Sequence, residues 1–163
     1  MATSSRLRLS FAHARPGAET WEPRIRAALE EAWRRFEGPD GAVVMVVFLD
    51  EHQHRLMHAR VSGDDSETDV LAVPYGEDDL FGEILVNLSL AERIGGDEHA
   101  ADEAALYAVH GALHLLGFDD HEVGDRRRMR AAERAVLGFD ADVEWGERFD
   151  GRDDDREKNR IGP

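Results

Sequence analysis

His110-Gly-Ala-Leu-His114-Leu-Leu-Gly117-Phe-Asp-Asp-His121 sets three histidines within twelve residues, and the rest of the chain is read outward from it. His110 and His114 lie four apart, so on a helix they share one face. Gly117 offers that helix a stop and the chain a turn, which can swing His121 back toward the other two. Three neutral imidazoles meeting at one point, with no fourth protein ligand nearby, is how a zinc site that keeps a position open for water is built. The predicted metal ligands are therefore His110, His114 and His121, holding one Zn²⁺ or another divalent transition metal. In zincin peptidases the residue after the first histidine is a glutamate that serves as general base. Here that residue is Gly111, which lowers the peptidase reading.

Around this stretch the apolar pattern predicts alternating strands and helices. Arg6–Phe11 alternates polar and apolar, as a half-buried strand does. Trp21, Ile25, Ala28, Leu29, Ala32, Trp33 and Phe36 recur at helical spacing, and Gly38-Pro39-Asp40-Gly41 ends that stripe. Ala42–Leu49 is a continuous β-branched run, predicted to be a central strand buried on both faces. Asp50 can cap a helix over Glu51–Arg60. Thr68–Pro74 and Gly82–Leu88 read as strands, the first an edge because it ends in proline. Helices follow over Ala100–Leu116 and Val123–Leu137. The order implies an α+β domain with one mixed sheet of about four strands packed with helices, the metal-binding helix placed as in zincins. One domain over residues 1–146 is expected, followed by a charged tail over 147–163 without apolar periodicity.

Composition narrows the partners. The formal net charge is −15, which speaks against a generic nucleic-acid binder with a basic face. Lys158 is the one lysine, against nineteen arginines. Salt adaptation accounts for the surplus of carboxylates better than an acidic partner-binding surface does. Cysteine is absent, which leaves histidine and carboxylate as metal ligands and suits a reducing cytoplasm. No secretory leader and no membrane span are expected. Of the remaining histidines, His13, His52, His54, His58 and His99 read as surface or satisfied core residues. The i,i+4 pair His54 and His58 reads as a solvated helix face.

The histidine stretch resembles the signature of the YbeY family of single-strand-specific endoribonucleases, also described as rRNA maturation factors. Thr68-Asp-Val-Leu-Ala-Val-Pro74 resembles the family's Thr-Asp-Val-Leu-Ser-Phe-Pro segment, and Gly82-Glu-Ile-Leu-Val its Gly-Asp-Ile-x-Ile strand. The resemblance covers residues 42 to 138. It implies a metal, usually zinc, on His110, His114 and His121, and a catalytic arginine before the Thr-Asp-Val-Leu segment, for which Arg60 fits best. It implies cleavage of single-stranded RNA in rRNA maturation at the 16S 3′ end and in ribosome quality control. The partners are then rRNA and the small ribosomal subunit in the cytoplasm, with no DNA and no membrane.

Two departures from the family pattern bear on the site. The common spacing is Gly-Tyr-Asp-His, whereas Gly117-Phe-Asp-Asp-His121 is one residue longer. Either the turn absorbs the extra residue, or Asp120 moves close to the metal. His58 stands near the family's asparagine, and Glu67 stands where its proline is expected. Asp119 and Asp120 fit either of two roles, orienting a ligand imidazole or capping the following helix. A metallohydrolase of another class, peptidase-like, and a non-catalytic assembly factor with a structural metal are the rival readings.

Overall fold

The computed structural model describes residues 6–138 except 15, 78 and 79, so the expected tail over 147–163 lies outside the described residues. In chain order the elements are β1 (Arg8–His13), a 3-10 turn (Ala18–Trp21), α1 (Glu22–Arg35) and β2 (Val43–Leu49). Then come α2 (Glu51–Ser62), β3 (Val70–Glu77), β4 (Leu80–Asn87), α3 (Leu88–Leu115) and α4 (Val123–Leu137). The strands form one mixed sheet in the order β1-β2-β4-β3. β1, β2 and β4 run parallel, and β3 pairs antiparallel with β4 as the far edge. The edge position of β3 is what its proline requires: Pro74 cannot donate to a neighbouring strand.

β2 is central, as its β-branched run predicts, but it alternates. Val44, Val46 and Phe48 are buried, whereas the residues between them are half-buried. The covered side carries the main core. There Ile25, Leu29 and Trp33 of α1 and Ala105, Val109 and Leu113 of α3 join Val44, Val46, Ile84 and Val86. Helix α3 begins earlier than its apolar pattern suggests. Asn87 caps it at Leu88, its side chain accepting from the Leu90 amide at 3.0 Å. The helix then breaks at Gly96, where φ is 61° and ψ is −165°. The polar stretch around this break hides the first two turns from a periodicity reading.

Two glycines set how closely α3 lies on the sheet. A Cβ on Gly111 would stand 2.9 Å from Ile84 Cγ2 and 3.2 Å from Val70 Cγ2. A Cβ on Gly82 of β4 would stand 2.7 Å from a methyl of Leu115. The helix therefore touches the sheet through bare backbone at both points, and a side chain at Gly111 would have to push the layers apart.

Helix α2 corrects one expectation. Its buried face is formed by His54 and His58, not by apolar residues, so the pair is not solvated. His54 is fully buried, its Nε2 2.8 Å from the Leu85 carbonyl of β4. That hydrogen bond offsets part of the cost of burying an imidazole. Asp50 and Gln53 close a reciprocal capping box at the start of this helix.

Gly111→Ala is expected to lower the unfolding free energy by about 1–2 kcal/mol, overpacking outweighing the gain in helix propensity. Denaturant titration measures it, and equal or higher stability would refute the close-approach account. A second expectation concerns pH. Burial lowers the His54 pKa from its ordinary 6.5. The unfolded chain then binds more protons than the native one just below that value, so stability falls as pH drops through it. His54→Gln, which can keep the bond to Leu85, should flatten this slope; an identical pH dependence in the two proteins would refute it.

Candidate metal centre

His110 and His114 project from the last turns of α3 beyond the point where Gly111 lets the helix settle on β4. The two Nε2 atoms converge at 3.0 Å. Asp120 joins them from the loop after the helix, its Oδ2 3.4 Å from Nε2 of His110 and 3.5 Å from Nε2 of His114. The three ligand atoms all lie within 4.8 Å of one another, a spread one metal ion can bridge.

The loop explains why Asp120 is there. Gly117 takes a left-handed φ of 98° and releases the chain from α3. From Phe118 the side chains alternate. Phe118 turns inward onto Phe36, with ring centroids 5.1 Å apart, and Asp120 turns inward onto the histidines. Asp119 and His121 point out. Asp119 Oδ1 accepts the backbone N–H groups of Asp120 and His121 at 2.7 and 3.2 Å, which fixes the turn. The two roles open to the aspartates are thus divided: Asp119 holds backbone, and Asp120 faces the imidazoles. His121 is not brought to His110 and His114. Its side chain is 63% exposed, with Nε2 3.4 Å from Asp119. It forms a second potential ligand group with Asp119 and Asp120, so the two groups share Asp120.

Burial alone would raise the Asp120 carboxyl. The hydrogen bonds and charge of His110 and His114 more than reverse that and hold it well below the usual carboxylate range. The ligand set therefore presents one fixed negative charge together with two imidazoles. Behind it, Nδ1 of His110 donates to Glu133 of α4 at 2.6 Å. With an ion bound, this bond would keep the proton on Nδ1 and leave the Nε2 lone pair for the metal. Glu133 was not singled out from the sequence. Its only signal there is its place on the inward stripe of α4 with Met129 and Ala132, where a carboxylate needs a partner. On the loop side, Nη1 of Arg126 donates to the His121 carbonyl at 2.9 Å and ties the loop to α4.

In front of the group opens a cavity of about 380 Å³. Its walls are His58 of α2, Thr68 and Asp69 of the preceding loop, Val70–Ala72 and Pro74 of β3, and His110, His114 and Asp120. The helix that carries His110 and His114 thus faces an edge strand across a cleft. Arg60 is not on this wall. It lies exposed in the last turn of α2, two residues past His58 and so on the opposite side of the helix.

The family model for Endoribonuclease YbeY matches residues 12–139. The chain belongs to this family. The Endoribonuclease YbeY of Pelotomaculum thermopropionicum is 38% identical over 108 residues, covering 60% of this chain and 71% of the relative. That of Anaeromyxobacter sp. is 33% identical over 133 residues, covering 78% of this chain and 68% of the relative. The solution structure of TM1509 from Thermotoga maritima shares the fold, with a TM-score of 0.57 at 22% identity over 94% of this chain and 95% of that one.

Within this YbeY chain, Glu133→Gln is expected to weaken metal binding by about 10-fold or more, through loss of the charge that orients His110. Competition against a chromogenic chelator reads the change, and an unaltered dissociation constant would remove Glu133 from the site.

Proposed function

We propose that this chain is a metal-dependent endoribonuclease that cleaves single-stranded RNA and acts in maturation of the 16S rRNA 3′ end and in ribosome quality control. Its partners are then rRNA and the small ribosomal subunit, and its compartment is the cytoplasm. The observation that carries the reading is the convergence of His110, His114 and Asp120 at a cleft, in a chain of the Endoribonuclease YbeY family. Among the described residues no helix is long and apolar enough to cross a membrane.

The donor chemistry fits a divalent ion, proposed as Zn²⁺. Two imidazole nitrogens and one ionised carboxylate oxygen form a set that zinc takes in catalytic sites, leaving a position open. When bound, the ion supplies Lewis acidity toward a phosphoryl oxygen and toward water. The chain's own groups prepare the place: Glu133 fixes the His110 ring, and Asp120 balances part of the ion's charge. Arg60 is the proposed phosphate contact, acting from outside the cavity wall on the RNA strand as it enters. Asp120 is proposed as the third ligand in the arrangement described, with His121 the alternative if the loop turns over on binding.

A peptidase reading meets a steric objection. A glutamate at the general-base position would be a side chain at Gly111, and that place is filled by Ile84 and Val70. Nothing in the site favours it.

Metal analysis joined to cleavage of an unstructured RNA tests the proposal. Wild type is expected to hold one ion per chain and to cut the RNA, with both properties lost in His114→Ala and Asp120→Ala. His121→Ala should keep the ion, and Arg60→Glu should keep both fold and ion while cleaving at least 10-fold more slowly. Metal-loaded wild type that leaves RNA intact would overturn the endoribonuclease reading. An ion lost in His121→Ala but kept in Asp120→Ala would give the third ligand to His121.

A further inference from the structure

We infer that His58 is a further catalytic residue of this cleft, the base that takes a proton from the oxygen attacking phosphorus; the inference rests on the endoribonuclease reading above. Helix α2 buries two histidines, and their surroundings differ. His54 is fully buried and spends its Nε2 on the Leu85 carbonyl, away from the cavity wall. His58, one turn on, keeps 7% exposure and stands on that wall with His110, His114 and Asp120.

Its ring is held in one orientation and one tautomer. Nδ1 lies 2.8 Å from the Ser66 carbonyl, which can only accept, so Nδ1 carries a proton and, in the neutral ring, Nε2 the lone pair. The carbonyl is itself pinned. The Ser66 amide donates to Asp64 at 2.8 Å, the Asp64 amide donates to Ser62 Oγ at 3.3 Å, and that hydroxyl donates to the His58 carbonyl at 2.9 Å. A backbone acceptor that fixes one ring nitrogen and leaves the other as a base toward a cleft is the orienting arrangement a general base requires.

In the proposed step a water oxygen bonds to phosphorus as its proton passes to Nε2 of His58. The phosphorus–oxygen bond to the departing nucleoside breaks, the departing oxygen takes a proton from solvent, and the imidazolium returns its proton to solvent. One water is consumed for each diester cut. The titratable and charged groups around His58 are His54 on its own helix, Asp64 and Asp69 in the loop, and His110, His114 and Asp120 across the cavity.

His58→Asn tests this, because its amide can donate to Ser66 from the place of Nδ1 while removing the base. Wild type and variant are compared for metal content, melting temperature, RNA affinity and the pH profile of kcat. The expected result is unchanged metal, melting temperature and KM, with kcat lowered by about 100-fold or more and the acidic limb of the profile lost. His58→Gln, which keeps a polar group near Nε2 but no base, should show the same loss and serves if the asparagine variant folds poorly. Wild-type kcat with an intact acidic limb in either variant overturns the proposal. Loss of metal also overturns it, by making His58 a ligand. RNA left intact by metal-loaded wild type overturns the endoribonuclease reading beneath it, and only the wild-type arm reports that failure.

Discussion

Helix α3 meets the sheet at Gly111 without a side chain between them, and much of the site's geometry follows from that contact. With Ile84 and Val70 against its bare backbone, the helix cannot rotate or lift without opening the core. Its last turns are thereby held where His110 and His114 overhang β3. Gly82 acts from the other side, giving Leu115 room against β4. The same packing separates this cleft from the peptidase one, because the position a catalytic glutamate would need is inside the fold.

The polar groups form a chain that runs from one helix to the next. Glu133 on α4 holds His110, His110 and His114 hold Asp120 in its ionised form, and Asp119 and Arg126 hold the loop that carries Asp120. Within this group each buried polar side chain meets a partner, drawn from α3, α4 and the loop between them. Helix α4 therefore supports the candidate metal group even though it contributes none of its three side chains.

The residue that lengthens the loop after Gly117 shows how a small change in sequence redistributes roles. From Phe118 to His121 buried and exposed side chains alternate around the turn that Asp119 holds. Once Phe118 is anchored on Phe36, Asp120 faces the histidines and His121 faces solvent. One residue fewer would place a histidine where Asp120 stands. The proposed change of third donor would follow from which side of this turn each side chain takes.

Much was legible in the residues alone. The strand-and-helix order, the α+β class, the edge placement of β3 and the pairing of His110 with His114 follow from apolar periodicity, proline chemistry and i,i+4 spacing, all of which act over a few residues. Periodicity failed where local chemistry is ambiguous. The first turns of α3 are short and set off from the rest by the break at Gly96, and the buried face of α2 is made of His54 and His58, which bond a carbonyl of β4 and one of the following loop. The meeting of Asp120 with the two histidines, the bond from Glu133 and the burial of His58 at the cleft could be decided only by tertiary structure. Each depends on where residues distant in sequence come to lie, and no spacing within one segment records a distance to another.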